Sequence, residues 1–187
     1  DGPKDANDLH RTSRRGRSSF EQTYQALQLL RSAPDVFAGV IAVIDPRTQP
    51  RQLLDFFSEQ QVPRLDFLLP DAHHQRPPPG RVEQPYLYEK WLIEAFDLWF
   101  DEYPTLEVRT FEALLDAVAG MPSQTDAFGF GDVSLITVET DGSYHDLDVL
   151  KVVSQDATRL NGAVTDTPIS EVAASPALAA HRALLTK

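Results

Sequence analysis

Two short apolar runs, each cut off by a proline, constrain this chain more than any other feature. Phe37-Ala-Gly-Val-Ile-Ala-Val-Ile44 runs without a polar side chain until Asp45-Pro46 stops it. Leu65-Asp-Phe-Leu-Leu69 is the second run, stopped by Pro70. Such runs read as strands buried on both faces, the kind found in parallel sheets. Between them Pro50 suits the first turn of a helix, with Leu53, Leu54, Phe56 and Phe57 on its inner side. Strand, helix and strand in that order make a βαβ unit, which a parallel sheet requires.

The alternation continues in both directions. Ser18 or Ser19 is placed to cap a helix in which Phe20, Tyr24, Leu27 and Leu30 keep a helical period, ending at Ala33-Pro34. Ser19 is the preferred cap. Residues 71–85, with four prolines, read as a loop. Residues 86–101 are the clearest helix, and Trp91, Phe96 and Trp99 at helical spacing read as core. Leu106–Arg109 is a short strand. Thr110 caps a helix running to Ala119, and Gly120 ends it. Gly129-Phe-Gly131 is a loop. Val133–Glu139 alternates as a strand, Asp141-Gly142 marks a hairpin turn, and Tyr144 to Leu150 returns as the partner strand. Residues 154–168 read as irregular. Ile169–Leu185 is helical, broken at Ser175-Pro176.

Composition narrows the function classes. The chain has 187 residues and a net charge of −11, which disfavours a nucleic-acid partner. Five of its 17 basic residues (Lys4, Arg11, Arg14, Arg15, Arg17) fall within the first 17 positions. A local basic cluster in an acidic chain suits a small anionic group better than a polyanion. No apolar run approaches the roughly 20 residues of a membrane span, and no signal peptide is present, so a cytoplasmic protein is expected. There is no cysteine, so these residues supply no disulfide, zinc–thiolate site, Cys nucleophile or iron–sulfur ligand. Neither GxGxxG nor Gx4GK[ST] occurs, so there is no signature of a dinucleotide or P-loop site.

Several pieces carry a resemblance. Asp1-Gly2-Pro3, Asn7-Asp8, Arg11 and Gly16-Arg-Ser-Ser-Phe20 resemble the segment of radical SAM enzymes with a SPASM extension that ends the fourth barrel strand and enters the fourth helix. Asn7 stands where that family often has His. Phe37–Asp45, Asp66–Pro70, Pro77–Gly80, Trp91-Leu92, Ser123–Gly129 and Val138–Leu150 are similar to maturases that crosslink side chains of ribosomally synthesised precursor peptides, the cyclophane-forming, FxsB-like group. The resemblance covers most of residues 1–153, and it rests on the order and spacing of the pieces together.

The resemblance implies an α/β fold: the second half of a partial (β/α) barrel of the radical SAM type over residues 1–132. A β-hairpin and a C-terminal helical segment follow over 133–187, the start of a SPASM-like extension. It implies an oxidoreductase that cleaves S-adenosylmethionine (AdoMet) to a 5′-deoxyadenosyl radical and modifies a precursor peptide. The [4Fe–4S] cluster, and an auxiliary [4Fe–4S], would be bound by cysteines outside these residues, so the fragment alone is expected to be inactive. A half-barrel also leaves a sheet edge uncovered. In this scheme Arg11 pairs with the AdoMet carboxylate, Val43 and Leu69 lie by the adenine, and Asp71 and His73 face the substrate at the barrel mouth. Arg14, Arg15 and Arg17 are surface residues.

His73-His74 lacks metal-ligand spacing such as HExxH and reads as surface or substrate-pocket. Glu139, Asp141, His145, Asp146 and Asp148 form an acidic cluster at the hairpin. It is a solvated turn, a proton acceptor (Glu139 or Asp141) or a contact for a basic peptide, and the residues do not choose among these. Two other classes remain open: another radical SAM/SPASM maturase of the sulfatase-maturing or thioether-forming type, or a non-catalytic α/β peptide-binding domain.

Overall fold

The structure, a computed structural model, describes residues 1–73, 75–122, 125 and 135–185. The chain divides into two compact units, Asp1–Pro70 with Pro78–Leu115, and Asp71–Pro77 with Asp116–Lys187. No described helix is long and apolar enough to cross a membrane.

The first unit is the expected βαβ frame. Its elements are α1 (Lys4–Asp8), α2 (Phe20–Arg31), β1 (Val40–Val43), α3 (Pro50–Glu59), β2 (Leu65–Leu68), α4 (Leu87–Glu102) and α5 (Arg109–Val118). β1 and β2 pair in parallel with Ala42 opposite Phe67. Gly39 makes the close start of that pairing feasible. It sits at φ +151°, and a Cβ there would lie 2.6 Å from the Arg64 carbonyl oxygen.

One face of the β1–β2 sheet carries the core. Ala42, Ile44, Leu53, Leu54, Leu65, Phe67, Trp91, Ala95, Val108 and Phe111 are all buried. The aromatic side chains interlock at angles that suit ring quadrupoles. Phe67 meets Trp91 edge-on at 5.3 Å, and Phe111 touches Phe67, Phe96 and Trp99 at 5.4–5.8 Å.

Burial on both faces does not hold for β1. Ile41 is 63% exposed. Among the described residues β1 has one partner strand, and Ile41 points away from the face that α3 and α4 cover. The strand expected at Leu106–Arg109 is reduced to a single parallel bridge between Leu65 and Val108, because α5 already begins at Arg109. Thr110 therefore lies inside α5 and caps nothing. Its hydroxyl accepts the Phe67 N–H at 2.9 Å and sits 2.7 Å from Asp66 Oδ1, fastening α5 to β2. Ser19 occupies the N-cap position of α2, yet its hydroxyl donates to the Arg11 carbonyl at 2.6 Å, while Ser18 Oγ accepts the Phe20 N–H at 3.0 Å. The short helix α1 has no clear sequence signal.

The second unit is an antiparallel sheet of β3 (Thr137–Val138), β4 (Ser143–His145) and β5 (Arg159–Ala163), followed by α6 (Ile169–Ala173) and α7 (Pro176–Leu185). Asp141-Gly142 makes the β3–β4 turn, with Gly142 at φ +81°. Tyr144, Leu160, Val172 and Leu178 form its core. The return strand is shorter than expected, because the chain leaves it after His145 and makes a 3-10 turn over Asp148–Val152. Residues 154–168 are not irregular throughout: β5 pairs with β4. Its Arg-Leu-Asn-Gly-Ala sequence lacks the β-branched residues that mark strands. The expected Gly129–Gly131 loop, most of Ser123–Gly129, Val133-Ser134 and His74 lie outside the described residues.

Candidate functional site

A cavity of about 700 Å³ in the first unit opens where β1 and β2 end. Open parallel sheets bind ligands there, beyond the carboxyl ends of their strands. Its walls come from Asp1 and four further segments. The chain leaving β1 gives Val43 to Arg47, the chain leaving β2 gives Pro70, the α1–α2 connection gives His10 and Arg11, and Pro79 to Tyr88 closes the far side through Gly80 and Leu87. The proline-rich wall is tied down by Tyr88, whose hydroxyl donates to the Pro79 carbonyl at 3.1 Å.

Arg11 is held at this cavity by its backbone and by its side chain. Its N–H donates to the Asn7 carbonyl at 2.8 Å, and its own carbonyl accepts from Ser19. The guanidinium donates Nε–H to Asp1 Oδ2 at 2.8 Å, and Nη2 lies 3.4 Å from Oδ1. The Asp1 side chain, 10% exposed, lies behind it, and its Oδ1 also faces the Val43 N–H at 3.4 Å. One edge of the arginine fork is thus anchored, which leaves Nη1 for a ligand. Arg14, Arg15 and Arg17 stand exposed on the turn between the Thr12–Ser18 bridge residues.

A second arginine is built into the same wall the same way. Asp45, whose side chain is 9% exposed, accepts the Arg47 backbone N–H at 2.9 Å and Nε–H at 2.9 Å, with Nη2 at 2.5 Å. His10 Nε2 adds a fourth donor at 2.7 Å. An ionised carboxylate only accepts, so His10 carries its proton on Nε2. Burial pushes the Asp45 carboxyl up. The Arg47 side chain, the Arg47 backbone and His10 outweigh it and hold the pKa at about 2, against an ordinary 3.8.

The pH consequence has a definite sign. A carboxyl whose pKa is lower in the folded state contributes stability above pH 3.8, and that contribution disappears as pH falls toward 2. About 2 kcal/mol should be lost across that window. Urea midpoints measured between pH 5 and 2 will show it. Asp45→Asn should flatten the profile there, and an unchanged slope would refute the assignment.

Among the residues expected at the site, Arg11 and Val43 meet at this cavity. Leu69 is 57% exposed just beyond β2, and its neighbour Pro70 is the residue on the wall. Asp71 and His73 belong to the second unit, in a tight turn where His73 and Arg76 exchange backbone hydrogen bonds at 3.0 and 2.9 Å.

The hairpin carboxylates also belong to the second unit. Glu139 pairs with Lys151. Asp141 Oδ1 accepts the Ser143 hydroxyl at 2.6 Å and the Ser143 N–H at 2.9 Å, and these bonds lower its pKa. His145 is buried between Ser143 Oγ and Thr158 Oγ1, both at 2.9 Å. Asp146 Oδ1 accepts the Leu147 N–H at 2.7 Å. Among the described residues no three His, Cys, Asp or Glu side chains gather as metal ligands do.

His10, Asp45, Arg47 and Tyr88 were not singled out from the sequence as site residues. The signal for two of them was present: Asp45 and Arg47 directly follow a buried parallel strand, where ligand contacts concentrate.

No protein-family model matches the chain. No curated protein matches it. Solved structures do. It aligns over its full length with native anSMEcpe carrying bound AdoMet and a Kp18Cys peptide, at TM-score 0.79 and 22% identity. The form with AdoMet and a Cp18Cys peptide gives 0.78 and 23%, and the form with AdoMet alone gives 0.76 and 22%. The chain spans 52% of the length of each. The fold is therefore that of a partial (β/α) barrel of the radical SAM type with its following segment.

Proposed function

We propose that the strand-end cavity is an AdoMet site, and that the chain is part of a radical SAM enzyme acting on a peptide. The observation that carries this reading is the anchored Arg11 at a cavity on the carboxyl ends of β1 and β2. It occurs in a chain that shares its fold with structures holding AdoMet. The free edge of Arg11 takes the ligand carboxylate through charge-assisted bonds. Val43, Ile44 and Pro70 offer the adenine an apolar wall, with Leu69 next to it at the end of β2. Pro79 and Leu87 close the far side and reduce water around the sulfonium.

When bound beside a reduced [4Fe–4S] cluster, AdoMet supplies a 5′-deoxyadenosyl radical for abstracting hydrogen from the peptide. This chain has no cysteine, so cysteines elsewhere in the protein would ligate that cluster and any auxiliary one. The residues here do the binding and orienting. Within the peptide-modifying enzymes, the likeness to anSMEcpe supports the sulfatase-maturing alternative better than cyclophane crosslinking. The peptides in two of those structures support a peptide partner. Asp71 and His73 are the residues proposed to face it, and Glu139 and Asp141 are the proposed proton acceptors.

The test is calorimetric titration of S-adenosylhomocysteine into the complete protein and its Arg11→Gln variant. Loss of one bidentate charged contact should weaken binding at least tenfold. Equal affinities would remove Arg11 from the site, and no binding by the unaltered protein would overturn the reading.

A further inference from the structure

Two arginines face one cavity, each backed by an aspartate whose side chain is no more than 10% exposed and grips the Nε–Nη2 edge. AdoMet has one carboxylate, and Arg11 accounts for it. We infer that Arg47, with His10 beside it, forms a second carboxylate-binding subsite that recognises an acidic side chain of the peptide substrate. This inference rests on the AdoMet reading of the same cavity.

The geometry favours an anionic ligand over a purely structural ion pair. Asp45 is 9% exposed, whereas the Arg47 and His10 side chains are 62% and 51% exposed. An incoming group therefore meets the Arg47 guanidinium and the His10 ring first, with the carboxylate behind them. Asp45 engages Nε and Nη2 of Arg47, and among the described residues Nη1 has no partner. Arg47 Nη2 and His10 Nε2 are 3.3 Å apart and both donate to Asp45, so the carboxylate holds the two side chains side by side. Asp45 also fixes the Arg47 backbone through its N–H, and Thr48 closes the turn by donating N–H and hydroxyl to the Asp45 carbonyl at 2.9 and 2.6 Å. The guanidinium is thus oriented before any ligand arrives, which lowers the entropic cost of binding. A carboxylate matches a fork of parallel N–H donors, and a neutral amide does not.

The experiment compares two capped tripeptides, acetyl-Ala-Glu-Ala-amide and its Gln analogue, titrated into the complete protein with and without saturating S-adenosylhomocysteine. The Glu peptide is expected to bind at least fivefold tighter. Arg47→Gln should cut that preference below twofold while S-adenosylhomocysteine affinity moves less than threefold. Arg11→Gln should show the reverse pattern. Two results would overturn the subsite: no preference for Glu in the unaltered protein, or a preference that survives Arg47→Gln. A third is loss of S-adenosylhomocysteine binding in Arg47→Gln as large as in Arg11→Gln, which would assign Arg47 to the AdoMet carboxylate. An Arg47-dependent Glu preference in a protein that binds no S-adenosylhomocysteine would defeat the AdoMet reading and uphold the carboxylate subsite.

Discussion

Phe111→Ala is expected to destabilise the first unit by about 3–5 kcal/mol, the range for emptying a packed aromatic site. Phe111 is fully buried, and its ring contacts Phe67 on β2 and Phe96 and Trp99 on α4. It is the point where α5, α4 and the sheet meet. Truncation removes buried area and three ring contacts at once, and rings fixed on one helix and a strand have little freedom to collapse into the space. Phe111→Leu, which refills most of the volume, should cost about 1.5 kcal/mol or less. Denaturant unfolding followed by tryptophan emission will read this unit alone, because both tryptophans, Trp91 and Trp99, belong to it. A cost below about 1 kcal/mol for the alanine variant would mean that Phe111 does not hold the layers together.

Trp91→Ala carries an expected cost of similar size, about 3–5 kcal/mol, and it reaches the site. The Trp91 ring packs edge-on against Phe67, and its Nε1–H donates to the Thr48 carbonyl at 2.9 Å. Thr48 closes the Asp45–Thr48 turn that carries Arg47. Trp91→Phe separates the two contributions. It keeps most of the apolar contact but leaves the Thr48 carbonyl without its donor, an expected cost of about 1–2 kcal/mol. With Trp99 as the remaining reporter, unfolding midpoints should rank the unaltered protein above Trp91→Phe and Trp91→Phe above Trp91→Ala. If the two variants were equal, the indole N–H bond would contribute nothing.

The frame of the first unit was legible because each element carries its own local signal. The apolar runs before Pro46 and Pro70, Pro50 at the start of α3 and the spacing of Trp91, Ala95 and Trp99 are visible without any partner. Elements whose signal depends on a partner were misread. β5 is a strand because β4 supplies its ladder, and Leu106–Arg109 is barely one because α5 claims Arg109. The serine and threonine hydroxyls were ambiguous for the same reason. Ser19 and Thr110 had a capping option nearby, and each took a partner more distant in the chain.

At the candidate site the division is sharper. Arg11 stood out as a candidate for binding an anion because a basic cluster in an acidic chain is itself a signal and its place in that cluster resembled a known pattern, and it lies on the cavity wall. Its anchoring by Asp1, ten positions away, was not. The pairing of His10 with Asp45 joins residues 35 positions apart, and no spacing rule reaches that far. The sequence alone determined the order of elements from α2 to α4, the two parallel strands and where they stop, because proline, glycine and apolar periodicity act over a few residues. Only the tertiary structure decided which strand ends share a cavity, which arginines are backed by buried carboxylates and which face of β1 stays uncovered. Those outcomes depend on through-space distance and desolvation, which are set by packing between segments remote in the chain.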